Sequence, residues 1–176
     1  MESKQRKKMI IVGLDNAGKS TIILTMKKKL GPHNFTELEP TKGLQTEEFE
    51  TVDGVTYHIW DFGGQEAYRE KYLQKPGYFG DTDSCTFVID IQDESRYTLA
   101  LEYLQEILKI LKELGENCNF SVYLHKFDPE LADSGEYQKR SEDLRKKLRD
   151  IFKTYTFPLI VFHTSIYTVF QRIQVK

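Results

Sequence analysis

The chain is 176 residues long, enough for one domain with a sizeable core, and 11 Phe and 10 Tyr give it ample surface to bury. Charged residues make up 30% of it, yet the net charge is −2, which excludes a global electrostatic pull toward nucleic acid. Its two cysteines, Cys85 and Cys118, fit neither a zinc site nor a disulfide framework and are expected to be reduced thiols of a cytoplasmic protein.

The amino terminus, Met1 to Lys8, is polar and lacks the apolar core of a signal peptide. Glu2 stands where a myristoylation signal needs Gly, the terminal Gln174-Val175-Lys176 carries no prenylation cysteine, and no apolar run approaches the roughly 18 residues of a membrane span. Neither a lipid anchor nor a transmembrane segment is expected. The basic cluster Lys4–Lys8 reads as the solvated start of a first strand.

That strand, near 8–12, runs into Gly13-Leu14-Asp15-Asn16-Ala17-Gly18-Lys19-Ser20, which satisfies G-x-x-x-x-G-K-[ST] at every fixed position. Apolar residues at helical spacing follow from Lys19 to Leu30. A strand, a glycine loop and a helix start are what a phosphate cradle needs: loop N–H groups point inward, and Gly13 and Gly18 allow backbone that a Cβ opposes. Lys19 can reach β- and γ-phosphates, and Ser20 can offer its hydroxyl to Mg²⁺. A chance match in a loop is the plain alternative, and the strand–helix context argues against it.

Pro40-Thr41 falls in the polar segment after this helix, where a Thr hydroxyl can complete a Mg²⁺ shell while a γ-phosphate is present. Strands at 44–51 and 55–62 flank Val52-Asp53-Gly54 and read as a hairpin with a tight Asp-Gly turn. The second of them ends in Trp60-Asp61-Phe62-Gly63-Gly64-Gln65-Glu66. Asp61 can bind Mg²⁺ through a water, the Gly64 N–H can approach a γ-phosphate, and the Gln65 amide can orient an attacking water. Further strands are expected near 84–91, 119–124 and 158–163. A helix at 96–114 carries the stripe Tyr97, Ala100, Leu104, Ile107, Leu108, Leu111 and Leu114, with Gly115 as its stop. A second, at 136–152, turns Leu144, Leu148, Ile151 and Phe152 inward and presents a solvated charged face. Residues 169–175 make a short helix at most.

The strand near 119–124 leads into His125-Lys126-Phe127-Asp128. A carboxylate at Asp128 can accept two hydrogen bonds from guanine, a donor pair that adenine lacks. The Lys126 stem can cover the face of the base while its ammonium ties back to the cradle. Thr164-Ser165 can place backbone N–H groups near the guanine oxygen. His33, His58 and His163 lack metal-ligand spacing and read as structural or exposed, while Trp60 and Tyr68 are candidates for a partner surface. Strands alternating with helices imply an α/β, three-layer doubly wound sheet, mostly parallel with one antiparallel edge strand, binding ligand at the carboxyl ends of its strands.

The ordered set resembles a small GTPase of the Ras superfamily, in its Arf and Rag branches, over essentially the whole chain. Gly13 to Thr21 is similar to the Arf-like cradle, including Asp15 at its third residue. Trp60 to Glu66 resembles the Arf and Rag form of the Asp-x-x-Gly element. Ile89-Asp90-Ile91-Gln92-Asp93, His125 to Asp128 and Thr164-Ser165-Ile166-Tyr167 are more Rag-like. The resemblance implies a P-loop NTPase fold, one G domain over 1–176, and a switch that binds GTP and GDP with Mg²⁺. It implies nucleotide contacts from Asp15, Asn16, Ala17, Gly18, Lys19, Ser20, Thr21, Gly64, His125, Lys126, Asp128, Ser165 and Ile166. It implies metal contacts from Ser20, Thr41 and, through a water, Asp61, and catalytic roles for Gln65, Thr41 and Lys19. Residues about 35–48 and 62–80 are expected to respond to the nucleotide.

Departures from the family pattern matter as well. His125 stands where many small GTPases have Asn, has a different reach and titrates, so guanine affinity is expected to be lower. The Arf amphipathic amino-terminal helix and a Rag dimerisation domain are not expected, so the chain reads as a monomer, with a small-GTPase-type dimer as the alternative. An activating protein, an exchange factor and an effector are implied partners. Neither Arg69, in a segment expected to be mobile, nor Arg96, at a helix start, is assigned as a catalytic arginine in cis, and Asp15 adds negative charge near the phosphates. Slow, partner-stimulated hydrolysis is therefore expected, with a GTP-binding scaffold lacking useful hydrolysis as the alternative. A P-loop kinase or ATPase fits less well, because Asp128 follows Lys126 and no kinase-like lid is visible.

Overall fold

The apolar run before the glycine loop lies inside the sheet. β1 (Arg6–Gly13) pairs in parallel with β3 (Thr56–Phe62) on one side and β4 (Ser84–Asp90) on the other, so that Ile10 faces Trp60 and Cys85. A strand covered on both faces has no solvent side, which is why its sequence runs apolar without alternation. Ile10 and Val12 enter one buried cluster and Ile11 the opposite one. The computed structural model describes residues 6–26, 39–51 and 54–166.

The six-stranded sheet has the order β2-β3-β1-β4-β5-β6, completed by β2 (Leu44–Glu50), β5 (Asn119–His125) and β6 (Leu159–His163). All neighbours are parallel except β2, which runs antiparallel to β3 at the edge. This is the expected doubly wound P-loop NTPase arrangement. The predicted hairpin is present: the Thr51 N–H donates to the Val55 carbonyl at 2.9 Å and the Gly54 N–H to the Thr51 carbonyl at 3.0 Å. Its Val52 and Asp53 lie outside the described residues.

α1 (Lys19–Met26) covers the smaller cluster, with Ile22 and Ile23 against Ile11, Ile59 and Val88. Its expected extension to Leu30 lies outside the described residues, as do His33 and the helix expected at 169–175. The larger cluster lies on the other face, under α3 (Tyr97–Glu113) and α5 (Gly135–Phe152). The stripe from Tyr97 to Leu111 is buried as its spacing requires. Leu114 departs from it at 41% exposure, because it is the C-cap, beyond the last helical turn. Ile151 is only partly buried, while Leu144, Leu148 and Phe152 are inside.

α2 (Glu66–Leu73) and a 3-10 turn at Pro76–Phe79 carried no clear sequence signal. α2 is rich in charge, and its order comes from tertiary packing. Tyr72 and Phe79 are buried against Phe62, with ring centroids at 4.8 and 5.2 Å. A short α4 (Pro129–Ala132) follows Asp128, with proline near its start.

Candidate nucleotide and metal site

The loop between β1 and α1 is shaped by close backbone approach. Gly13 has φ +150°, and a Cβ there would lie 2.4 Å from the Val88 carbonyl oxygen. Asn16 and Gly18 also have positive φ, at 60° and 92°. The loop opens on a cavity of about 170 Å³, lined by Asp15, Asn16, Gly18, Lys19, Ser20 and Thr21 together with Thr41, Gly64 and Gln65. Ala17 is turned instead into the smaller core cluster, which leaves it only its main chain to offer a ligand.

Lys19 is 5% exposed, and its Nζ donates to the Leu14 carbonyl at 2.8 Å. Burial lowers the ammonium pKa to about 8, against the opposing pull of Asp61 and Asp15. A cation held in this state gains from an anionic ligand.

Three oxygen-bearing side chains from three segments meet beside it. The Ser20 hydroxyl lies 2.6 Å from that of Thr41 and donates to Asp61 Oδ2 at 2.7 Å, and the Thr41 hydroxyl donates to the same oxygen at 3.0 Å. Asp61 is 3% exposed, and among the described residues its Oδ1 has no hydrogen-bond partner. A buried, half-satisfied carboxylate among hard oxygen donors fits Mg²⁺. Among the described residues no group of three or more His, Cys, Asp or Glu side chains can hold a metal.

Gly64 packs on the cradle so closely that a Cβ would lie 2.1 Å from the Asp15 nitrogen. Gln65 follows as the N-cap residue of α2, with no side-chain capping bond, and lines the same cavity. Arg69 is 9% exposed, its Nε donates to the Gly64 carbonyl at 3.0 Å, and its guanidinium lies over the Tyr103 ring.

The base-recognition candidates gather at the carboxyl ends of β5 and β6. His125 is 3% exposed, with Nδ1 2.9 Å from Thr164 Oγ1 and its ring against Gly18. Burial lowers its pKa to about 4, with the Lys126 cation adding to the effect and Asp90 opposing it, so at neutral pH the ring carries no charge. Asp128 Oδ1 accepts the Ser165 hydroxyl and Oδ2 accepts Gln92 Nε2 at 3.2 Å. Ile166 packs against the smaller core cluster. The expected tie from Lys126 to the cradle is not formed: its Nζ lies 2.7 Å from Asp90 Oδ2, and the residue has φ 60°.

Three residues given no role from the sequence therefore belong to this surround. Asp90 holds Lys126, Gln92 spans the Lys126 carbonyl and Asp128, and Arg96 pairs with Asp15. The last contact gives the Asp15 charge a cationic partner. Asp90 and Gln92 lie in the Rag-like Ile89–Asp93 segment, which was the available signal. Arg96 had none, because its partner lies 81 positions away.

The chain is similar to known proteins in sequence and in fold. The chain is 36% identical to human ADP-ribosylation factor-like protein 4A over 111 residues, 61% of this chain and 52% of that protein. It is 35% identical to ADP-ribosylation factor-like protein 3 of Chlamydomonas reinhardtii over 108 residues, 61% of this chain and 56% of that one. The matched part thus spans about half the length of these curated relatives. In fold, it resembles a chain from the structure of the mammalian SRP receptor, with a TM-score of 0.70 at 15% identity, covering 90% of this chain and 91% of that one. The Gtr1/RagA G protein conserved region matches residues 8–172. With that match laid along the sheet and the loops at its carboxyl edge, the chain belongs to the Gtr1/RagA G protein family and is a small GTPase of the Arf-like and Rag-like branch.

Proposed function

We propose that the chain is a guanine-nucleotide switch that binds GTP and GDP with Mg²⁺ and hydrolyses GTP slowly, under stimulation by a partner. The observation that carries this reading is the meeting of Ser20, Thr41 and Asp61 beside the Lys19 cradle. Thr41 precedes β2 and Asp61 lies near the end of β3, both at the open end of the hairpin, so a ligand that holds them to Ser20 couples its presence to the position of that end. Ser20 and Thr41 would hold Mg²⁺, with Asp61 doing so through a water, and the ion would supply charge neutralisation at the phosphates. Lys19 holds the phosphates, and Asn16, Gly18, Thr21 and the Ala17 main chain shape their cradle. Gln65, free of any capping duty, orients the attacking water. Asp128, aligned by Ser165 and Gln92, reads the guanine donor pair, with Lys126 and Ile166 bordering the base.

The scaffold reading, GTP binding without useful hydrolysis, draws on one observation: Arg69 and Arg96 are both engaged elsewhere, on Gly64 and Asp15. Under the switch reading an activating protein supplies the missing cation, and an exchange factor and an effector complete the cycle. The G domain acts as a monomer in the cytoplasm.

Competition titrations with GDP, GTP and ATP, with and without Mg²⁺, test the proposal. GTP and GDP should bind and ATP should not. Asp128→Asn should move preference from guanine to xanthine nucleotides by on the order of 10²-fold or more, because a donor then faces a donor. Equal affinity for ATP and GTP overturns the guanine assignment. Single-turnover GTP hydrolysis with and without a cell extract separates the switch from the scaffold.

A further inference from the structure

We propose that Arg96 is a positioning residue for the cradle: it neutralises and anchors Asp15, and thereby sets the preference for guanosine triphosphate over diphosphate. The proposal rests on the guanine-nucleotide reading of the cavity. Arg96 closes a 3-10 turn, Glu94–Arg96, just before α3. Its guanidinium grips Asp15 twice, through an ion pair to Oδ1 and a hydrogen bond to the Asp15 main-chain carbonyl at 3.2 Å. The turn itself is fixed, because the Tyr97 hydroxyl donates to the Ile91 carbonyl and the Ser95 hydroxyl to Asp93 Oδ1. The arginine is thus held by its own turn and holds the loop in turn.

Asp15 lines the same cavity as Lys19, Ser20, Gly64 and Gln65. A carboxylate there opposes a polyanionic ligand, and the opposition grows with each phosphate. The Lys19 Nζ is engaged on the Leu14 carbonyl, and Arg96 is the cation that ion-pairs with Asp15 at the cavity wall. The Arg96 and Asp15 side chains are 30% and 40% exposed, so water only partly screens the pair. Asp93 is a distant second partner for the guanidinium at 3.8 Å, which leaves Asp15 as its principal one.

The test is equilibrium binding of fluorescent GDP and of a non-hydrolysable GTP analogue to the full chain. Arg96→Ala should weaken the analogue relative to GDP by on the order of tenfold. Adding Asp15→Asn to that variant should return the ratio to within about threefold of wild type, since the charge to be neutralised is gone. Asp15→Asn alone should shift the ratio toward the triphosphate. This single change keeps the proposal open to refutation if Arg96→Ala does not fold by circular dichroism. Equal weakening of both nucleotides by Arg96→Ala, no restoration in the double variant, or a shift toward GDP in Asp15→Asn overturns the proposal. A wild-type chain that binds neither nucleotide overturns the guanine reading and this proposal with it. Wild-type binding of both with an unchanged ratio in Arg96→Ala overturns this proposal alone.

Discussion

The His125 imidazole closes the space above Gly18: a Cβ built on Gly18 would lie 2.5 Å from Cδ2 of the ring and 2.7 Å from Nε2. The ring cannot easily give way, because it is 3% exposed and its Nδ1 is engaged with Thr164. A residue at the end of β5 therefore braces the cradle between β1 and α1, and links it to the loop after β6.

Gly18→Ala should accordingly be severe. Its φ of 92° is unfavourable for any residue with a Cβ, and the new methyl meets a confined ring. A loss of about 2–4 kcal/mol in unfolding free energy is expected, together with loss of nucleotide binding. Adding His125→Ala should recover part of the stability, and denaturant melts of the double-mutant cycle measure that coupling.

The same ring sets a pH dependence. Its native pKa is lowered from 6.5 to about 4, chiefly by burial. Between these values the unfolded chain binds a proton that the native chain does not, so stability rises with pH across this window. The contribution is complete above about pH 6.5 and is lost as pH falls toward 4, up to about 3 kcal/mol in all. His163, exposed and also shifted downward by burial, adds in the same direction. His125→Asn should flatten the slope of unfolding free energy between pH 4 and 6.5. An unchanged slope assigns the effect to other groups.

Lys19 is held charged at a cost in the ligand-free chain. Its pKa of about 8 against an ordinary 10.5 means that at pH 7 the native state is penalised for keeping the proton. Stability from this group is absent below pH 8 and rises between 8 and 10.5. Lys19→Met should raise the melting stability of the nucleotide-free protein by about 1–2 kcal/mol, less the lost bond to the Leu14 carbonyl, while abolishing GTP and GDP binding. A variant that is both less stable and nucleotide-competent contradicts this account.

Local pattern carried most of the fold and of the cradle. The run Met9–Val12, the stripe of α3 and the fixed residues of the glycine loop are written in short spans, where spacing maps onto one face or one turn. Ser20 at the start of α1, Thr41 before β2 and Asp61 near the end of β3 were each legible as oxygen donors, although their mutual contact was not. α2 escaped because Glu66, Arg69, Glu70 and Lys71 read as loop, and its burial depends on Tyr72 and Phe79 finding Phe62. The Lys126 ammonium was aimed at the cradle because its stem can reach; the nearby Asp90 carboxylate takes it instead. Arg96 and Asp15 could not be paired from the sequence, since nothing local marks a contact made between two loops.

Hydrolysis by the isolated chain should be slow and should depend on Gln65. The two arginines near the cavity are spoken for: Arg69 is buried on the Gly64 carbonyl and Arg96 is paired with Asp15. An arginine supplied by a partner contributes roughly 10³–10⁵ in rate to such reactions. Gln65→Leu keeps the size of the side chain and removes the amide that orients water, so GTP binding should remain near wild type while stimulated turnover disappears. Gly64→Ala gives an independent check, since its Cβ would meet the Asp15 nitrogen at 2.1 Å and push the 63–66 segment off the cradle. That variant should keep GDP and lose both stimulated hydrolysis and the triphosphate preference. Phosphate release measured under single turnover, with and without extract, reads both variants. Fast multiple turnover by the purified chain, indifferent to Gln65→Leu, overturns the role of the glutamine and the need for a partner together.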